Sequence, residues 1–132
     1  MKLGMDELQY IAVIEKITKA RVKDCVSTEG ELVVVVGEGE MGLAIGRNGE
    51  NAEKVREAVG RKVSFIEFSE NKEKFIRKLF APAVIEAVEV DGETVKLKVR
   101  EAQRAIGRGG KRKKRAETLL DRHFGIKNVV IN

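Results

Sequence analysis

Apolar residues recur along this chain in two rhythms, steps of three and four and steps of two, and the changes of rhythm mark out its elements. Residues 6–19 carry apolar side chains at Leu8, Ile11, Ala12, Ile14 and Ile17, which predicts a helix with one buried face and Asp6 as its cap. Residues 21–27 alternate as a strand, and Thr28-Glu29-Gly30 reads as a turn. Leu32-Val33-Val34-Val35-Val36 is a β-branched run, hence a strand, stopped by Gly37-Glu38-Gly39. A short helix at 41–45 is interrupted by Gly46-Arg47-Asn48-Gly49. A second helix at 50–59 resumes with Ala52, Val55, Ala58 and Val59 on one face and ends at Gly60. Residues 63–68 form a strand with Val63, Phe65 and Ile66 as its inward positions.

After a junction at Ser69-Glu70-Asn71-Lys72, the order recurs. Residues 71–80 read as a helix with Phe75, Ile76 and Leu79 at helical spacing, ended by Pro82. Strands at 83–90 and 93–99 flank a hairpin signal at Asp91-Gly92. A short helix at 101–106, a break at Gly107-Arg108-Gly109-Gly110, a long helix at 111–124 stopped by Gly125, and a strand at 126–131 complete the chain. Helix, strand, strand, helix, glycine turn, helix, strand therefore occurs twice. Ala44-Ile45-Gly46-Arg47-Asn48-Gly49 matches Ala105-Ile106-Gly107-Arg108-Gly109-Gly110 at five of six positions, displaced by 61 residues. Each repeat is about 60–65 residues, small but able to fold alone.

Two glycines three apart permit a turn too tight for a side chain and let a second backbone approach. The helix that follows aims its free N–H groups and the positive end of its dipole at the turn, which makes a seat for phosphate. Arg47 and Arg108 add charge, and Ile45 and Ile106 offer an apolar shelf for a base or ribose. Glycines that merely join two packed helices would explain one such turn; two equivalent copies favour binding.

The pattern Ile-Gly-x-x-Gly between two helices resembles the KH signature, whose loop clamps about four backbone nucleotides. Two strands before the turn and a strand after it are similar to the type II order of prokaryotic KH domains. Two such units in succession resemble the archaeal NusA-like transcription elongation and termination factors. The resemblance implies an α+β fold of two tandem type II KH domains, at 1–70 and 71–132. Each would pack three helices against a three-stranded mixed sheet. It implies single-stranded RNA as the partner, with Gly46, Arg47, Asn48, Gly49 and Gly107, Arg108, Gly109, Gly110 as clamping loops. The longer bacterial NusA pattern has a polymerase-binding N-terminal region and an S1 barrel for which this chain has no room, so RNA polymerase is kept as a second expected partner on weaker grounds than RNA.

Charge sharpens the picture. The chain is 36% charged with a net +5 and a pI near 9.4, which favours a polyanionic partner. Residues 101–115 hold Arg104, Arg108, Lys111, Arg112, Lys113, Lys114 and Arg115 against Glu101, a net +6. Residues 44–62 hold Arg47, Lys54, Arg56, Arg61 and Lys62 against Glu50, Glu53 and Glu57, a net +2. Arg104, Lys111, Arg112 and Lys114 therefore join the predicted RNA-binding set, and the second repeat is expected to carry more of the salt-dependent affinity. The first, with its glutamates, could serve as a packing partner alone. High Lys and Glu with Gln only at positions 9 and 103 is a composition of proteins from hot environments.

Other chemistry is thin. Gly37-Glu38-Gly39-Glu40-Met41-Gly42 matches the dinucleotide fingerprint, follows a strand and has Glu67 downstream. It is set aside because its helix breaks after one turn, Glu38 and Glu40 put negative charge in the phosphate loop, and the second repeat lacks it. Gly110-Lys111-Arg112 lacks the Ser or Thr of a phosphate loop and a strand to feed it. Residues 101–124 also resemble a helix-turn-helix or helix-hairpin-helix element for duplex DNA, but the flanking strands argue against it. The single Cys25 allows no internal disulfide and is expected to be buried; His123 alone makes no metal site. The six aromatic residues sit at apolar-face positions and are expected in the core. No signal peptide, membrane span, catalytic constellation, cofactor or small-molecule substrate is indicated, so a cytoplasmic, non-enzymatic protein is expected. The competing functions are a ribosome- or RNA-processing-associated KH protein, a nucleotide-binding enzyme using the Gly37–Gly42 loop, and a duplex DNA binder.

Overall fold

The structure, a computed structural model, describes residues 5–28 and 30–132, and the chain divides between Ser69 and Glu70 into two compact units. In the first, α1 (Met5–Thr18) leads into β1 (Val22–Ser27) and β2 (Leu32–Val36), followed by α2 (Met41–Ile45), α3 (Glu50–Val59) and β3 (Val63–Glu67). The second holds α4 (Lys72–Phe80), β4 (Ile85–Asp91), β5 (Thr94–Val99), α5 (Ala102–Ile106), α6 (Lys111–Phe124) and β6 (Asn128–Ile131). The expected α+β fold is borne out: among the described residues each unit has three α-helices and a three-stranded mixed sheet, ordered β1-β2-β3 and β4-β5-β6.

In each sheet the first pair is antiparallel and the second parallel. A short turn can only return a strand antiparallel, whereas the chain that carries two helices crosses over and comes back parallel. Both antiparallel pairs bulge near the start of the first strand, between Val22 and Asp24 and between Ile85 and Ala87.

The central strands show how one pattern is used differently. β2 is buried at every position, which is why it reads as an unbroken Val run, whereas β5 alternates buried Val95, Leu97 and Val99 with exposed Lys96 and Lys98. In the first unit Val34 and Val36 join Ile14, Ala44, Val55 and Val63 in one core. Displaced by 61 residues, Val95 and Leu97 stand where Val34 and Val36 do.

Four expectations need correction. The helix α1 starts at Met5, so Asp6 lies in its first turn rather than capping it. Its buried positions are Ile14 and Thr18, while Leu8 is 50% exposed and Ala12 is also exposed. Thr18 is inside because its hydroxyl donates to the Ile14 carbonyl (2.8 Å) and accepts from the Ala20 N–H (3.0 Å), so both polar functions are satisfied locally. On α3, Ala58 is exposed, and Ala52, Val55 and Val59 form the packed face. The second hairpin turns at Gly92 and Glu93, one residue later than Asp91-Gly92 suggests, with Gly92 at φ 58°. The turn predicted at 28–30 includes Glu29, which lies outside the described residues, as do positions 1–4.

Candidate nucleic-acid interface

The two glycine turns share one backbone. Gly46 has φ 76° and ψ 174°, and Gly107 has φ 78° and ψ 169°. The third residue is left-handed in both, Asn48 at φ 55° and Gly109 at φ 63°. Gly49 and Gly110 follow at φ 76° and φ 78° and open α3 and α6. A Cβ on Gly46 would stand 2.9 Å from the Asn51 nitrogen, and one on Gly107 would stand 2.9 Å from the Arg112 nitrogen. The first glycine is therefore required twice over, by its dihedral angles and by the helix pressed against it. The last glycine is required by φ alone, since nothing lies within 4 Å of an added Cβ at Gly49 or Gly110.

A brace repeats with the loop. The Asn51 amide donates to the Leu43 carbonyl (2.7 Å), and the Arg112 guanidinium donates to the Arg104 carbonyl. Each ties the first turn of the long helix to the short helix before the glycines. Sequence reasoning placed Arg112 at the RNA; the structure puts at least one of its nitrogens behind the loop. Residues 51 and 112 are equivalent under the 61-residue displacement, a signal that was there to be read.

In front of the loops, α3 and α6 open at Gly49 and Gly110, which carry no side chain to cap them; the Glu50 and Lys111 N–H groups already donate to the Arg47 and Arg108 carbonyls, so what the helix starts present to an anion is the positive end of the dipole. Arg47, Asn48, Arg108, Gly109, Lys111 and Lys114 are exposed, and Ile45 and Ile106 are half-buried beside the turns. Among the described residues, Arg47, Arg108, Lys111 and Lys114 make no ion pair. Arg104 does, with Glu101 at 3.2 Å. A depression of about 470 Å³ opens at the second loop, lined by Gln103, Ile106 and Gly107 to Gly110. Gln103 was not singled out from the sequence.

The flanks differ in sign. The first turn of α3 carries Glu50 and Glu53, which pair with Lys54 (3.2 Å) and Arg56 (3.5 Å). The first turn of α6 carries no acid. Residues 1–69 hold ten Lys and Arg against twelve Asp and Glu, a net −2, while residues 70–132 hold sixteen against nine, a net +7.

The dinucleotide-like loop is filled by the protein itself. The Gly39 N–H donates to the Glu67 carboxylate at 2.9 Å, so the acid that would hold a ribose holds the loop instead. Glu40 accepts from the Arg21 N–H (3.0 Å), and its carboxylate lies across Gly37, where a Cβ would run into Oε2. A pyrophosphate would have to displace both carboxylates. His123 stands edge-on to Phe75 (6.2 Å between centroids), and Cys25 is fully buried. Among the described residues no group of three or more His, Cys, Asp or Glu could hold a metal ion, and no helix is long and apolar enough to cross a membrane.

Comparison with known proteins adds four likenesses. Residues 9–70 match the sequence profile of the KH domain. The probable transcription termination protein NusA of Methanococcus vannielii is 36% identical over 99% of this chain and 79% of that protein. Its counterpart in Methanocaldococcus jannaschii is 34% identical over 99% of this chain and 75% of that protein. Among solved structures, the crystal structure of APE1850 superposes with a TM-score of 0.83 at 37% identity, covering 98% of this chain and all of the other.

Proposed function

The chain belongs to the family of archaeal NusA-like KH proteins, and from that premise we propose that it is an RNA-binding factor of transcription elongation and termination, which holds single-stranded RNA at its two glycine loops. The observation that carries this is the recurrence of one loop backbone, dihedral for dihedral, in front of two helices that open on glycine. The helix dipole would draw phosphate oxygens to the turn, Arg47 and Arg108 would lie over them, and Ile45 and Ile106 would carry the neighbouring base or ribose. None of these contacts needs an aromatic platform, and the chain provides little: Phe68, Phe75 and Phe80 are buried. Two modest clamps on one chain raise each other's effective concentration, so neither has to be strong.

The test is fluorescence anisotropy with a random-sequence pool of short single-stranded RNA. It compares the natural protein with Arg47→Asp/Asn48→Asp and with Arg108→Asp/Gly109→Asp, each checked by circular dichroism for folding. Loss of binding in both folded variants is the expected result. Unchanged binding in both would make the glycine turns structural and refute the proposal. Duplex DNA at matched salt should bind more weakly than the single strand.

A further inference from the structure

The depression at the second loop is lined by one side chain for which the clamp alone has no use. Gln103 precedes Ile106 by three positions on α5, so the two are neighbours on one helix face. Both line the same hollow as Gly107 to Gly110. Gln103 is exposed, and among the described residues nothing bonds to its amide; only its backbone carbonyl is used, by the Gly107 N–H at 2.8 Å. Its surroundings are cationic, with Arg104, Arg108 and Lys111 beside it in sequence. The hollow thus joins a phosphate seat, an aliphatic shelf and one uncommitted group that both donates and accepts.

We propose that Gln103 reads the edge of the base seated on Ile106 and sets the base preference of the second loop, with adenine as the base it takes. This rests on the reading that the loop binds single-stranded RNA. A phosphate held at the glycines leaves its nucleoside to lie along the shelf, where the primary amide meets the base edge. An amide presents an acceptor next to a donor, and it pairs in bidentate fashion with a donor next to an acceptor. Every base offers such a pair on its Watson–Crick edge, but adenine alone repeats it on a second edge, N6–H beside N1 and N6–H beside N7, so it can be taken in either orientation on the shelf. The first unit has Gly42 at the equivalent position and therefore no side chain to read with. The proposal thus makes the two loops unequal in kind: the second discriminates at a position where the first cannot.

The decisive variant is Gln103→Glu. It keeps the length of the side chain but replaces the donor with a second acceptor. Two adjacent acceptors match the N1–H and N2–H₂ donors that stand together only on guanine. The experiment selects bound molecules from a random single-stranded RNA pool, sequences them, and compares the natural protein with Gln103→Glu, Gln103→Ala and Arg108→Asp/Gly109→Asp. The expected motif from the natural protein has adenine at one position. Gln103→Glu should leave the other positions intact and shift that one toward guanine by about tenfold or more. Gln103→Ala should flatten it. Gln103 variants that return the natural motif, while the Arg108/Gly109 variant loses binding, would overturn the role of Gln103 and leave the clamp standing. Undiminished binding by the Arg108/Gly109 variant would overturn both.

Discussion

Replacing Gly107 by Ala separates the two reasons a glycine can be needed. At φ 78° and ψ 169° the residue occupies a region that is almost exclusively glycine's, at a cost of roughly 1–3 kcal/mol for any other residue. The added methyl would also stand 2.9 Å from both the Cβ and the backbone nitrogen of Arg112. That nitrogen belongs to the first turn of α6 and cannot yield without moving the helix. Overpacking of this kind adds about 1–3 kcal/mol. Gly110→Ala is the control: φ 78° and ψ 12° is the left-handed helical region, costing about 1–2 kcal/mol, and the methyl meets nothing within 4 Å. The expected gap between the two variants is therefore ~2 kcal/mol. In guanidinium chloride, with a slope of roughly 4 kcal/mol per molar, this is a midpoint difference of ~0.5 M by circular dichroism. Gly46→Ala against Gly49→Ala repeats the comparison in the first unit, where Asn51 supplies the obstruction. Equal midpoints for Gly107→Ala and Gly110→Ala would show that the close approach of Arg112 is not a constraint, and the account of the loop would fail.

Other expectations follow from individual contacts. Lys111→Glu with Lys114→Glu should lower the slope of log affinity for single-stranded RNA against log salt by about 1–2, whereas Glu50→Lys with Glu53→Lys should steepen it; a slope that ignores both would remove phosphate from these helix starts. The Asn71 side chain accepts from the Lys74 N–H at 3.0 Å and caps α4, so Asn71→Ala should cost about 1 kcal/mol in a chemical melt, and no loss would contradict the cap. Lys127 is held protonated above its ordinary value near 10.5, first by its hydrogen bond to Asp121 and then by that carboxylate's charge. A raised folded-state pKa contributes stability that is complete below the unfolded value and disappears as pH rises through the folded one. Asp121→Asn should therefore be less stable than the natural protein up to about pH 10 and converge with it at higher pH; a gap that persists there would assign the loss to something other than this pair.

The order of elements was legible because each change of apolar rhythm coincided with a glycine or a turn residue. Gly37, Gly46, Gly60, Gly107 and Gly125 all punctuate where the structure does. The duplicated hexapeptide made the loops legible as a pair, and the matching dihedrals follow from it. Less was legible where one residue can satisfy itself in two ways. Apolar spacing in α1 is too generous, with Val13 as well as Leu8 exposed, so periodicity could not tell which half of the helix packs. A basic run reads as uniformly outward, yet Arg112 turns a nitrogen back to a carbonyl, which only the register against Asn51 discloses. The fingerprint at 37–42 has the strand before it and the acid after it, but its broken helix and two glutamates already set it aside in the sequence. The structure adds the placement of Glu40 and Glu67 in the loop, and of these only Glu40 is near in sequence. Gln103 was invisible because a lone amide carries no pattern, and its meaning comes from the hollow it lines.

The two long helices begin under opposite conditions. In α3, Glu50 and Glu53 neutralise the positive end of the dipole, as a well-built helix start requires. In α6, four successive cations, Lys111 to Lys114, occupy the place where negative charge belongs. Each mismatched charge costs a few tenths to 1 kcal/mol at low ionic strength. The second unit is in this sense an unfinished fold, whose missing counter-charge comes from outside the chain. Its folding is thermodynamically linked to any polyanion that fills the site, with a gain that grows as the logarithm of ligand concentration over the dissociation constant. Removing the cations would make a sturdier second domain with a weaker grip, which is the balance that the acids at the start of α3 strike the other way.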